Sequence, residues 1–279
     1  MSQRPEEHDR ESSIESLLPI DEHVEEGHDS EGRKVRHRGV YLLPNLFTTA
    51  NLFAGFYSIM CSISGDFTMA AAIVFVAMVL DGLDGRVARI TNTQSAFGAE
   101  YDSLSDMVAF GLAPAIMAYQ WTLSELGNVG LTIAFIYVAC AALRLARFNT
   151  QIGVVDKRWF VGLASPAAAG VVAGVVWALS DNGVGAVDLA FVLIILFAVL
   201  VAAVGMLMVS NVKYYSFKDF DFKGRVPFVA ILVVVLAFAV VFSDPPRILL
   251  LLFLVYALSG PVQYVLHMRS RKNSQQEDV

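Results

Sequence analysis

An all-α, polytopic membrane protein is the fold class that this 279-residue sequence predicts, and three observations carry the prediction. Apolar residues make up 56% of the chain and charged residues only 16%, with a mean hydropathy of +0.58, too apolar for a soluble domain of this size. Stretches of about 20 apolar residues, the length a helix needs to cross a hydrocarbon core, recur along the chain. The breaks between them, such as "SGD", "SELGN", "DNGVGAVD" and "SDPPR", are short and rich in residues that turn the backbone.

In chain order, residues 1–32 hold much of the acid behind the net charge of −6, with few large apolar residues and no sustained period, and are expected to form a disordered, solvated tail. Residues 33–43, "RKVRHRGVYLL", read as a basic segment running into an apolar one. That pattern suits a short interfacial helix on anionic lipid and also serves as a topology signal. Eight transmembrane helices are then expected near 44–63, 67–89, 97–121, 127–149, 160–180, 186–209, 226–243 and 247–267, followed by a polar tail at 269–279. The stretch 211–227, "NVKYYSFKDFDFKGRVP", reads as an interfacial loop of aromatic and basic residues.

Positive charge fixes the expected orientation. Arg33, Lys34, Arg36 and Arg38 precede the first helix, Arg86 and Arg89 end the second, and Arg144, Arg147, Lys157 and Arg158 lie between the fourth and fifth. Lys213, Lys218, Lys223 and Arg225 follow the sixth, and Arg269, Arg271 and Lys272 close the chain. Arg247 stands alone on the other side. Both termini are therefore expected in the cytoplasm, with the protein multi-pass in the cell (inner) membrane. The first apolar run begins near residue 42, so insertion is expected to use the first helix itself. Cys61 and Cys140 fall inside apolar helices and read as small hydrophobes rather than a disulfide framework. No nucleic-acid partner is expected.

One stretch departs from this apolar pattern. Residues 81–106, "DGLDGRVARITNTQSAFGAEYDSLSD", hold four aspartates and Glu100 between two apolar helices. On a helix of 3.6 residues per turn, Asp81, Asp84, Gly85, Ala88 and Arg89 fall within an arc of roughly 140°. Gly98, Asp102 and Asp106 are spaced i, i+4, i+8 and form a second stripe. A short loop between antiparallel neighbours lets the stripes face each other at the cytoplasmic edge. Buried unpaired carboxylates are costly and repel one another, so a cation must compensate. Arg86 and Arg89 supply part of it, while a dense set of hard oxygen donors suits Mg²⁺ or Mn²⁺, with enough ligands for two ions. Zinc fits poorly, because the five histidines lie in the tail, the flanks or the last helix end. Gly85 and Gly98 leave room for a bulky ligand at the backbone, or for close helix packing. A solvated loop paired with arginines and an ion pathway are the plainer readings of the same acids.

The string Asp81-x2-Asp84-Gly85-x2-Ala88-Arg89-x8-Gly98-x3-Asp102-x3-Asp106 resembles, with no departure, the motif of the CDP-alcohol phosphotransferases. The resemblance implies an integral membrane enzyme in which an alcohol displaces CMP from a CDP-linked lipid or alcohol, using divalent metal. It further implies a metal site of Asp81, Asp84, Asp102 and Asp106, with Asp106 also the general base, and a six-helix core, here 44–209, to which two helices within 210–268 are added. Gly85, Arg89 and Gly98 are then expected at the CDP diphosphate, and Asn45 and Thr48 at the nucleotide. A helix-start role explains the last two as well. A homodimer is implied in the same way.

"LPNLFTTANLFAGFYSI", "DSLSDMVAFGLAPA", "AALRLARFN" and "FVGLASPAAAG" together resemble the phosphatidylserine synthase branch of that family, over roughly residues 40–180. That branch implies CDP-diacylglycerol and L-serine as substrates. A zwitterionic acceptor needs a cation for its carboxylate, and Arg144 and Arg147, i, i+3 neighbours at a helix end, are candidates, with Asn149 and Ser165 as orienting groups. The positive-inside rule and helix capping account for these residues without a substrate. Glycerol 3-phosphate or inositol phosphate as acceptor, a cation transporter, and a scaffold with a lapsed site are the competing functions.

Overall fold

The computed structural model describes residues 27–28, 34–35, 42–91, 95–151, 159–182, 190–215 and 228–277. The chain divides into two units, residues 1–41 and 42–279. In the first, Gly27–His28 (β1) pairs antiparallel with Lys34–Val35 (β2), Gly27 opposite Val35. Lys34 and Val35 are thus extended where the sequence reads as a short helix; the rest of 33–41, and the acidic tail apart from Gly27–His28, lie outside the described residues.

The second unit is helical, as a chain without water to satisfy its backbone must be. Its elements are α1 (Leu42–Ile63), α2 (Phe67–Ile90), α3 (Ala96–Asp106), a π-helical segment (Met107–Leu112), α4 (Ala113–Trp121), a 3₁₀ turn (Leu123–Leu126), α5 (Asn128–Gln151), β3 (Trp159–Val161), α6 (Ser165–Ser180), α7 (Phe191–Val209), β4 (Lys213–Tyr215), α8 (Phe228–Ser243) and α9 (Pro245–Glu277). Polar caps begin the helices that carry the acids. Asp66 accepts from the Met69 amide at 3.0 Å ahead of α2, and Ser95 accepts from the Gly98 amide at 2.9 Å ahead of α3.

Five described helices are long and apolar enough to cross a membrane: α1, α2, α5, α7 and the first part of α9, Pro245–Tyr264. Expected spans differ in detail. The span read at 160–180 shortens to a helix of 16 residues, and that read at 226–243 is described as helix from Phe228 to Ser243, its first two residues lying outside the described set. At the first, Trp159–Val161 is not helical because it pairs with Lys213–Tyr215. Interfacial loop 211–227 accordingly begins as a strand, and its residues 216–227 lie outside the described set. The span read at 97–121 is interrupted by the π segment. Pro114 has no amide to donate to the Phe110 carbonyl, and the buried Tyr137 hydroxyl from α5 donates to that carbonyl at 3.2 Å instead.

Within this unit α1 packs along α2, α5 along α7, and α6 along both α2 and α9. Gly55 lets α1 meet the π segment: a Cβ there would stand 2.7 Å from the Ala109 Cα. Trp121, Tyr137, Phe110, Met117 and Val172 form the buried core. Outside it, Phe53, Val79, Phe135, Leu196, Val199, Leu236 and Leu251 are each more than half exposed. Soluble monomers seldom show so much apolar surface, and lipid is the solvent that matches it. The protein is a multi-pass helical membrane protein.

Candidate active site

The site is built where α2 ends and α3 ends, against the first turns of α1. Asp81, Asp102 and Asp106 each present one carboxylate oxygen, and the three oxygens lie within 4.8 Å of one another. All three side chains are partly buried. α1, which packs against both α2 and α3, brings these acids together.

Asp84 stands beside the triad but is held differently. It is only 4% exposed, and its Oδ2 lies 3.0 Å from Thr48 Oγ1. Thr48 is equally buried, and its single hydroxyl proton is shared between Asp84 and the Pro44 carbonyl at 3.1 Å. The Thr48 carbonyl in turn accepts from Ser105 Oγ at 2.9 Å. One threonine thus ties α1 to both acid-bearing helices.

Asn51, one turn further along α1, is a site residue that reading the sequence missed. It is fully buried and donates from Nδ2 to Asp106 Oδ1 at 3.2 Å. The available signal was a second amide, six residues after Asn45 and at i+3 from Thr48, inside an apolar helix.

Whether these residues suit a metal ion can be judged from their unmet hydrogen bonds. Asp102 Oδ1 and Asn51 Oδ1 are buried with no hydrogen-bond partner. An unpaired buried acceptor costs about 1–3 kcal/mol. Two such oxygens, beside three clustered carboxylates, form a hard-oxygen donor set that a divalent cation satisfies. The residues therefore fit a metal.

The remaining expected residues divide into two groups. Arg144, from α5, lies within electrostatic reach of Asp106 and Asp81 and donates to Ser165, a fully buried residue at the start of α6. Gly85 is open, its nearest neighbour to an added Cβ being Arg89 Nη2 at 3.8 Å, and exposed Arg89 donates from Nε to the Gly85 carbonyl at 2.8 Å. Gly98 sits over Ser95 and faces the Asn45 side chain, whose Oδ1 would be 3.8 Å from its Cβ. These flank the acids. Arg147 turns away, donating to Asn211 Oδ1 at 2.9 Å and toward the Val209 carbonyl. Asn149 bonds the outer side of α3, at Ser103 (3.0 Å) and Glu100 (3.5 Å). Arg158 lies outside the described residues.

Comparison with known proteins accords with this geometry. A relative from Helicobacter pylori, a CDP-diacylglycerol–serine O-phosphatidyltransferase, is 37% identical over 233 residues, covering 82% of this chain and 93% of its own. One of the same description from Methanocaldococcus jannaschii is 32% identical over 228 residues, 82% of this chain and 96% of that one. An archaetidylserine synthase from Methanothermobacter thermautotrophicus is 34% identical over 174 residues, 62% of this chain and 69% of its own. The family model for CDP-alcohol phosphatidyltransferases matches residues 41–209, the span that contributes every acid of the cluster, and the chain belongs to that family.

Proposed function

We propose that the protein transfers the phosphatidyl group of CDP-diacylglycerol to the hydroxyl of L-serine, giving phosphatidylserine and CMP. The observation that carries this reading is the convergence of Asp81, Asp102 and Asp106 beside a cation, Arg144, that is anchored to Ser165. The relatives named as serine phosphatidyltransferases support the choice of acceptor.

In the reaction the serine hydroxyl oxygen forms a bond to the phosphorus that carries the diacylglycerol, the bond from that phosphorus to the CMP oxygen breaks, and CMP leaves. Asp106 accepts the hydroxyl proton, with Asn51 fixing the carboxylate that receives it. Arg144, within electrostatic reach of Asp106 and Asp81, takes the serine carboxylate, whereas Arg147 donates to Asn211 and toward the Val209 carbonyl. Asn45, Thr48, Gly85, Arg89 and Gly98 receive the nucleotide and diphosphate, with the open Gly85 allowing phosphate oxygens close to the backbone. Asp81, Asp102 and Asp106, with Asp84 adjacent, would hold Mg²⁺ or Mn²⁺, which would supply charge neutralisation for the diphosphate.

The same reading gives a six-helix catalytic core over 44–209, two further helices within 210–268, the active site facing the cytoplasm from the inner membrane, and a homodimer. The purified protein, given CDP-diacylglycerol, labelled serine and either metal, should release CMP and label lipid. Turnover with glycerol 3-phosphate or inositol phosphate but not serine would reassign the acceptor. Metal-dependent cation flux without CMP release would make it a transporter.

A further inference from the structure

The helices α6 and α9 enclose a second feature, outside the acid cluster. At one end they are sealed together: a Cβ on Gly170 would fall 2.7 Å from the Phe253 ring, and one on Gly174 3.0 Å from the Leu250 Cα. Toward the start of α6 they part, and a groove of about 760 Å³ opens between Pro166 and Ala167 on one side and Leu252, Tyr256, Ser259 and Gln263 on the other. This lies in the volume range that takes a small organic ligand.

The groove is graded along its length. Along α9 the apolar Leu252, Phe253 and Val255 line it first, and Tyr256, Ser259 and Gln263 follow as its polar end. From Leu252 to Gln263 a helix rises about 16 Å, close to one leaflet of a hydrocarbon core about 30 Å thick. A groove whose α9 wall rises that far, apolar at Leu252, Phe253 and Val255 and polar at Ser259 and Gln263, matches a single fatty acyl chain with its ester at the polar end.

Its mouth adjoins the chemistry. Ser165, which receives the Arg144 hydrogen bond, sits between groove residues Ala164 and Pro166. Tyr256 is within electrostatic reach of Arg144. Its ring packs 5.5 Å from that of Tyr214, whose hydroxyl donates to the Ala257 carbonyl at 3.0 Å, so the wall is braced against β4.

We infer that the α6–α9 groove binds one acyl chain of the lipid-linked diphosphate substrate, and that α9, beyond the residues 41–209 matched by the family model, serves as the lipid-binding wall of the site. This rests on the reading that the substrate is a CDP-linked diacyl lipid.

The test compares CDP-dioctanoylglycerol with CDP-dipalmitoylglycerol in micelles, following CMP release by the full-length protein. Val255, a groove residue more than half exposed, is replaced with tryptophan, which fills the slot without disturbing the core. Val255→Trp should lower kcat/KM for the long-chain substrate about tenfold, the scale of an overpacked site, and leave the short-chain value within about twofold. Leu251→Trp, at an exposed position that does not line the groove, should change neither. Equal losses for both chain lengths, or none, would overturn the inference. Absence of CMP release from the unmodified protein with either lipid would instead overturn the proposed reaction. A binding arm needs no turnover: a CDP-lipid with a terminal diazirine on one chain should label α9 near Leu252, displaced by unlabelled CDP-dipalmitoylglycerol. Label that persists under that competition marks bulk lipid, and copper-catalysed cross-linking of two Val255→Cys chains marks a second copy; either overturns the assignment.

Discussion

Charged and polar side chains gather at both ends of α6, and the two gatherings are organised in opposite ways. Beyond its C-terminus, Arg247 donates to Asp244 at 2.6 Å and to Asn182 Oδ1 at 2.8 Å, so cation, anion and amide satisfy one another. Beside its N-terminus, around Arg144 and Ser165, the anions outnumber the cation and buried oxygens of Asp102 and Asn51 lack partners. A self-satisfied cluster joins helices and asks for nothing else. Ser180 Oγ, at the C-terminus of α6, is also buried without a partner, but the orphaned oxygens at the other end stand among clustered carboxylates that a further cation would stabilise, and that difference separates a structural clamp from a site of chemistry.

The comparison breaks first if the unsatisfied end can be neutralised without consequence. Asp106→Asn keeps the shape but removes the proton acceptor and one anionic oxygen, and CMP release should fall at least about a thousandfold, within the range for loss of a general base. Circular dichroism and thermal melting in detergent should show the fold retained. Activity near that of the unmodified protein would remove Asp106 from the reaction.

The need for a ligand can be read without turnover. Adding Mg²⁺ or Mn²⁺ to metal-stripped protein at about a hundred times its dissociation constant should stabilise the fold by about 2.7 kcal/mol, seen as a raised melting temperature. Asp102→Asn should abolish the shift, since the orphaned oxygen that the metal would meet is then part of a neutral amide. A shift that survives Asp102→Asn would place the cation elsewhere.

Asn51 gives a smaller effect. Its side chain donates to Asp106, so Asn51→Ala should lower kcat about tenfold with little change in the KM for CDP-diacylglycerol, the signature of a residue that orients a reacting group. An equal rise in KM would mean that Asn51 instead binds substrate.

How far the sequence discloses these features follows from the range of the interactions involved. The facing acids are legible because i, i+4 spacing is a local property, and Asp81, Asp102 and Asp106 meet where it places them. Helix limits are legible to within a few residues for the same reason, as with 67–89 against Phe67–Ile90. What escapes depends on partners far along the chain. Arg144 and Arg147 share a helix face, yet Ser165 engages one and Asn211 the other. The π segment depends on Tyr137 meeting the Phe110 carbonyl, and the loss of helix at Trp159–Val161 depends on a strand more than fifty residues later. Asn51 was within reach of a closer reading, since a buried amide in an apolar helix needs a partner.

The smallest predicted effect lies at the satisfied end, and it is the sharpest control. Arg247 is an exposed side chain paired at i, i+3 with Asp244, a class of ion pair that contributes about 0–1 kcal/mol. Arg247→Ala should therefore shift the melting temperature only slightly, less at high salt, and leave both CMP release and the metal-induced stabilisation unchanged. Because the clamp joins the C-terminus of α6 to the start of α9, a large loss of activity in this variant would mean that the spacing of those two helices is set from this end. In that case the two polar clusters would be parts of one device, and the division drawn between clamp and catalytic centre would fail.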